Sequence, residues 1–100
     1  MHMLPRMEIA ALQGLMGDMY ACRDRGRGVD ATFRWLTEEV GELARAIRKG
    51  DPDELSHEFG DVVAWTASLA NLLDVDLERA VARYANGCPK CGRTPCECPF

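Results

Sequence analysis

Long apolar runs are missing from this chain of 100 residues. A helix that crosses a bilayer needs roughly 18 or more such residues together, and the start of the chain has no signal-peptide pattern. The expected location is therefore the cytoplasm, with no membrane partner. Basic runs are equally scarce. Lys and Arg number 12 against 16 Asp and Glu, a net charge of −4, which argues against binding along a nucleic-acid backbone. Apolar and polar residues nowhere alternate over a useful length, so half-buried strands are not expected. No internal repeat or low-complexity segment occurs. Histidine is limited to His2 and His57, and Cys22 is the only cysteine before residue 88. That distribution excludes a disulfide scaffold running across the fold. The rest, 47% hydrophobic and 28% charged, is the composition of one globular domain with a modest core.

Helical periodicity fills most of the chain. Residues 1–6 read as a loose leader containing Pro5. From residue 7 to about 25, Ile9, Leu12, Leu15, Met16, Met19 and Tyr20 follow the three-and-four spacing of an amphipathic helix. Gly14 and Gly17, each costing roughly 1 kcal/mol there, read as marks of a close helix crossing, and Cys22 as a small core or semi-buried residue. The charged, glycine-rich run 23–28 is the expected turn. Asp30 is the expected N-cap of a second helix with a stripe of Phe33, Leu36, Val40, Leu43 and Ile47, stopped by Arg48, Lys49 and Gly50. Asp51-Pro52-Asp53-Glu54 is the clearest helix start, with Asp51 as cap and Pro52 at the first helical position. That third helix runs to about residue 73. Asp76 caps a fourth through Leu77, Ala80, Val81 and Tyr84. The expected fold is all-α.

Two acidic clusters sit at the centre of this arrangement, Glu38-Glu39-Val40-Gly41-Glu42 and Glu58-Phe59-Gly60-Asp61. Residues three apart share a helix face, so Glu39 pairs with Glu42 and Glu58 with Asp61. The face of Glu58 and Asp61 also carries Val62, Trp65, Leu69 and Leu72. Carboxylates in line with an apolar stripe cost several kcal/mol unless neutralised, and a shared divalent cation is the economical answer. Magnesium, which takes hard oxygen ligands and keeps several waters, suits such a cluster. Two other readings compete. Ion pairs such as Glu42 with Arg45 explain an acidic helix face without a metal, and Glu38 fits that description. Glu54-Leu55-Ser56-His57 matches one Glu-x-x-His of a di-iron bundle, but that architecture uses two, and the second histidine is His2.

The tail has a different chemistry. Cys88-Pro89-Lys90-Cys91-Gly92 aims two thiolates at one point, and Cys96-Glu97-Cys98 follows closely. Four sulfurs at this spacing can close a tetrahedral zinc shell. The chain thus divides into a helical domain, residues 1–86, and a cysteine-rich zinc-binding tail, residues 87–100.

Glu-Glu-x-x-Glu at Glu38, Glu39 and Glu42, within Trp35-Leu36-Thr37-Glu38-Glu39-Val40-Gly41-Glu42-Leu43-Ala44, followed by Glu-x-x-Asp at Glu58 and Asp61, resembles the MazG-like all-α nucleoside triphosphate pyrophosphohydrolases. Leu77-Glu78-Arg79-Ala80-Val81 adds to the resemblance, which covers roughly residues 12–84. It implies that Glu39, Glu42, Glu58 and Asp61 are magnesium ligands, and that Glu38 or Glu39 takes a proton from the attacking water. It implies hydrolysis of a nucleoside triphosphate between the α and β phosphates, and assembly as a homodimer or homotetramer. Arg83 and Asn86 are the nearest candidates for the residues with which such proteins hold phosphate, and Trp35, beside Glu42 on the helix projection, for stacking on a base. The alternative to this enzyme is a non-catalytic helical zinc adaptor for a protein or nucleic acid, or a di-iron carboxylate protein.

Overall fold

The computed structural model describes residues 6–99. The expected leader falls almost wholly outside them, with His2 and Pro5. The described residues form three long helices and one short one: α1 Ile9–Arg27, α2 Val29–Lys49, α3 Pro52–Leu72 and α4 Leu77–Val81, continued by a 3-10 turn Ala82–Tyr84. There is no strand among the described residues. None of these helices is long and apolar enough to cross a membrane. The fold is all-α, as expected.

α3 is the middle element. It packs along both α1 and α2, which touch one another little. Its start follows the sequence closely: Pro52 occupies the first turn, and the Asp51 carboxylate accepts the Asp53 N–H at 3.0 Å. Asp76 likewise caps α4 by accepting the Arg79 N–H at 3.2 Å. Between them, Gln13 fastens α1 to the α3–α4 loop. Its side chain donates to the Val75 carbonyl at 2.6 Å and accepts from the Leu77 N–H at 3.0 Å, while its carbonyl accepts from Asn71 Nδ2 at 3.1 Å.

Five expectations change. The turn over residues 23–28 contracts to Gly28, at φ 87°, which joins α1 directly to α2. Arginine is a good helix former, and buried Asp24 is held by Arg27 at 2.9 Å, whose guanidinium also reaches Thr32 Oγ1 at 3.3 Å. The helix therefore continues to Arg27. Asp30 then lies inside the first turn of α2, and Gly28 takes the N-cap position. The α2 stripe also divides. Leu36 and Leu43 are half-buried, but Phe33, Val40 and Ile47 are 56%, 50% and 59% exposed. The side turned inward carries Thr32 and Ala46, both buried, with Glu39 and Glu42 half-buried between them. Cys22 is exposed, because the inward side of α1 runs through Met16 and Asp24 instead. A Cβ at Gly14 would meet nothing within 4 Å, so within one chain no close crossing requires that glycine.

A Cβ at Gly28 would also meet nothing within 4 Å, so replacing this residue tests backbone conformation alone. Gly28→Ala is expected to destabilise the fold by about 1–2 kcal/mol, the cost of holding an L-residue in left-handed space. Denaturant unfolding followed by circular dichroism measures it, and an unchanged midpoint would contradict a one-residue junction.

Candidate functional site

The α2–α3 hairpin turns on Gly50, whose φ of 72° ends α2, followed at once by the Asp51 cap. This tight connection fixes the register in which Glu39 on α2 meets Glu58 and Asp61 on α3. All three are half-buried. Partial burial, then the charge of Asp61 and a hydrogen-bond contact with Glu58, push the Glu39 carboxyl above the ordinary value of 4.5. Glu58 Oε2 is buried and finds no hydrogen-bond donor among the described residues. His57, Glu58 and Asp61 bring one ligand atom each within 4.8 Å of one another, with His57 Nε2 3.1 Å from Asp61 Oδ2. A donorless buried oxygen and a carboxyl pressed toward its protonated form are both satisfied by a cation, and the hard oxygen donors suit a divalent one.

The other expected residues spread around this centre. Glu42 pairs with Arg45 at 3.2 Å, both partly exposed, so the ion-pair reading describes Glu42. Glu42 nevertheless shares with Glu58 a groove of about 320 Å³ that Arg45, Lys49 and His57 also line. Glu38 is exposed and opens on a different groove, beside Arg34 and Trp35. Trp35 stacks on Trp65, with ring centres 6.0 Å apart and planes 14° from parallel, and Arg27 lies 4.8 Å from the centre of the Trp65 ring. A further groove of about 290 Å³ contains Tyr20, Arg23, Asp24, Arg27, Asp61 and Trp65. Asp61 therefore borders one groove and Glu58 the other. Arg83 donates to its neighbour Tyr84 at 3.0 Å, and neither Arg83 nor Asn86 lines these two grooves.

His57 lies exposed at the edge of the cluster and reaches Asp61 one helical turn on, a contact that the four-residue spacing of the pair makes available. The Asp24–Arg27–Trp65 set was hidden because residues 23–28 read as a turn.

The chain matches the family model described as the MazG nucleotide pyrophosphohydrolase domain over residues 27–90. It belongs to that family. No curated protein matches it. The family match takes in Glu39, Glu42, Glu58 and Asp61, and ends before Cys91, Cys96 and Cys98.

The tail cysteines form a second cluster. Four sulfurs, those of Cys88, Cys91, Cys96 and Cys98, lie within 4.8 Å of one another and could hold a metal ion. Backbone N–H groups of Cys91 and Lys90 lower the Cys88 thiol to about 6, those of Glu97 and Arg93 lower Cys91, and hydrogen bonding with Cys96 and Cys88 raises Cys98 to about 11.

The acid centre makes a prediction about the metal-free protein. A raised carboxyl value means that the folded state holds the Glu39 proton more firmly than the unfolded chain does. The stability this provides is complete below 4.5 and is lost as pH rises through the higher folded-state value. At neutral pH Glu39 is then a destabilising charge. Glu39→Gln is expected to raise the neutral-pH melting temperature of the magnesium-free protein and to weaken the further rise that magnesium gives the wild type. Melts at pH 4 and pH 7.5, with and without magnesium, measure both effects.

Proposed function

We propose that this chain is a magnesium-dependent nucleoside triphosphate pyrophosphohydrolase. Water attacks the α-phosphorus, the bond to the α,β-bridging oxygen breaks, and the products are a nucleoside monophosphate and pyrophosphate. Its place would be the removal of surplus or non-standard nucleotides. The observation that carries the reading is the cluster of His57, Glu58 and Asp61 on α3, with the Glu39 carboxyl of α2 against Glu58 and Asp61, within a chain of the MazG family.

Glu39, Glu58 and Asp61, with Glu42 at the rim of the adjoining groove, would hold the magnesium. When bound, the ion neutralises the polyphosphate and lowers the pKa of a coordinated water. His57 hydrogen-bonds Asp61 and so orients that carboxylate, the usual work of an outer partner in a metal site. Glu39 stands against Glu58 and Asp61 whereas Glu38 opens elsewhere, so the proton of the attacking water is assigned to Glu39. The two grooves divide by chemistry. Arg45, Lys49 and His57 suit the β and γ phosphates, and Tyr20 and Trp65 suit the nucleoside. Trp35 acts through its stack on Trp65. Arg83 and Asn86 meet substrate only from a neighbouring subunit.

Such an assembly has an apolar surface to use. Phe33, Val40 and Ile47 repeat every seven residues along α2, and Phe59 and Val63 add to the exposed apolar area on α3. Contiguous exposed apolar surface of this kind marks association, and a homodimer or homotetramer would bury it. The second metal centre, made only of sulfur, is assigned to zinc and not to magnesium.

A panel of standard and modified triphosphates, incubated with and without magnesium, tests the function. Equimolar monophosphate and pyrophosphate that depend on magnesium are expected. Release of orthophosphate alone, or no turnover of any triphosphate, would remove the reading. Loss of a metal ligand should cost more than the roughly 10–100-fold typical of an outer partner. Glu58→Gln and Asp61→Asn are therefore expected to reduce turnover about a hundredfold or more, with helical circular dichroism retained.

A further inference from the structure

The tail folds back on itself. Residues 88–93 form a closed loop in which the Cys88 N–H donates to the Arg93 carbonyl at 3.1 Å and the Gly92 N–H donates to the Cys88 carbonyl at 2.7 Å. The sulfur of Cys88 then stands 3.6 Å from that of Cys96 and 3.7 Å from that of Cys98, and Cys91 stands 4.0 Å from Cys96. A tetrahedral ion with zinc–sulfur bonds of about 2.3 Å holds its ligands about 3.8 Å apart. A disulfide needs about 2.0 Å. The observed separations fit the first arrangement and not the second. Backbone donors support the sulfurs as well. The Glu97 N–H points to Cys91 at 3.4 Å and the Cys98 N–H to Cys96 at 3.3 Å, the kind of outer contact that orients ligands and tunes their basicity.

Gly87 makes the closure possible. At φ 110° it lies beneath the returning segment, and a Cβ there would meet Thr94 Oγ1 at 2.9 Å, the Gly92 carbonyl oxygen at 3.0 Å and the Arg93 carbonyl carbon at 3.3 Å. Two of those contacts are backbone and have no rotamer to yield. The segment they belong to carries Arg93, which bonds Cys88, and leads to Cys96 and Cys98. A side chain at residue 87 would push the second pair of sulfurs away from the first.

We propose that Cys88, Cys91, Cys96 and Cys98 hold one zinc ion in a closed, all-sulfur tetrahedron, and that Gly87 is the positioning residue that brings the two cysteine pairs together. Four protein ligands leave no open position for water or substrate, so the ion is a structural clasp and not a second catalytic centre. None of the residues bordering the carboxylate grooves comes from the tail. The zinc clasp therefore orders residues 87–99 without contributing to the helical core.

Metal analysis of the full chain tests this. One zinc per chain after expression in ordinary medium is expected. Cobalt(II) added to the chelator-stripped chain should give the thiolate charge-transfer and visible bands of a tetrahedral sulfur site, which zinc then abolishes. Cys96→Ser and Cys98→Ser should each remove those bands. Gly87→Ala, which keeps every sulfur, should weaken zinc at least about tenfold in competition with a chromophoric chelator, a loss on the scale of a disrupted outer shell. Stripping zinc should collapse the backbone NMR signals of residues 87–99 and leave helical circular dichroism in place. Two disulfides by intact mass, iron in place of zinc, or a featureless cobalt spectrum would overturn the site. Wild-type zinc affinity in Gly87→Ala would overturn the role of that glycine, and helix loss on stripping would overturn the separation from the core.

Discussion

Packing α2 against α3 presses Glu39 onto Glu58 and Asp61, and much of the rest of the molecule accommodates that contact. Like charges at this separation repel, and each carboxylate also loses water on one side. An ordinary helix pair would relieve the conflict by rotating the acids outward and Phe33, Val40 and Ile47 inward. Here the opposite face points out. Small residues, Thr32 and Ala46, fill the buried positions of α2, which lets the helices approach closely enough for the carboxylates to meet. The interface holds a repulsion that a divalent cation, as proposed, would convert into attraction.

That choice has a consequence for the outer surface. Among the described residues only Met16, Ala46, Ala67 and Ala70 are fully buried apolar residues, while Phe33, Val40, Ile47 and Phe59 stay exposed. Three alanines bury little area at about 25 cal/mol per Å², so the larger apolar contribution inside the subunit comes from half-buried side chains such as Leu36, Leu43 and Leu69. A core this small is weak for a chain of 100 residues. The same rotation that turns the acids inward turns Phe33, Val40 and Ile47 outward, so the acidic contact and the apolar surface have one geometric cause.

The sequence made the helices and caps legible because their signals are local. Asp51-Pro52 and Asp76 act within a few residues, and the structure uses both. The three-residue spacing of Glu58 and Asp61 likewise fixed their common face. What periodicity could not decide was which of two faces of α2 meets α3, since both the Phe33–Val40–Ile47 line and the Glu39 line are coherent. That choice depends on the partner helix. The α1–α2 junction was obscured for a related reason. A run rich in arginine and glycine reads as a loop until the burial of Asp24 against Arg27 and Thr32 is known, and those contacts are tertiary.

The two proposed metal centres would coexist in one short chain because their ligands differ in kind. Most sites bind zinc more tightly than magnesium, and a carboxylate cluster alone would have no chemical means of refusing the softer ion. Geometry and ligand type must do the sorting. The tail offers four sulfurs already at tetrahedral spacing, a site magnesium cannot use because it demands an octahedron of oxygens. Under the proposed function the α2–α3 centre would offer carboxylate oxygens with open positions, which a polyphosphate and its own magnesium would complete. Ligand type would then sort the ions, sulfur taking zinc and oxygen taking magnesium.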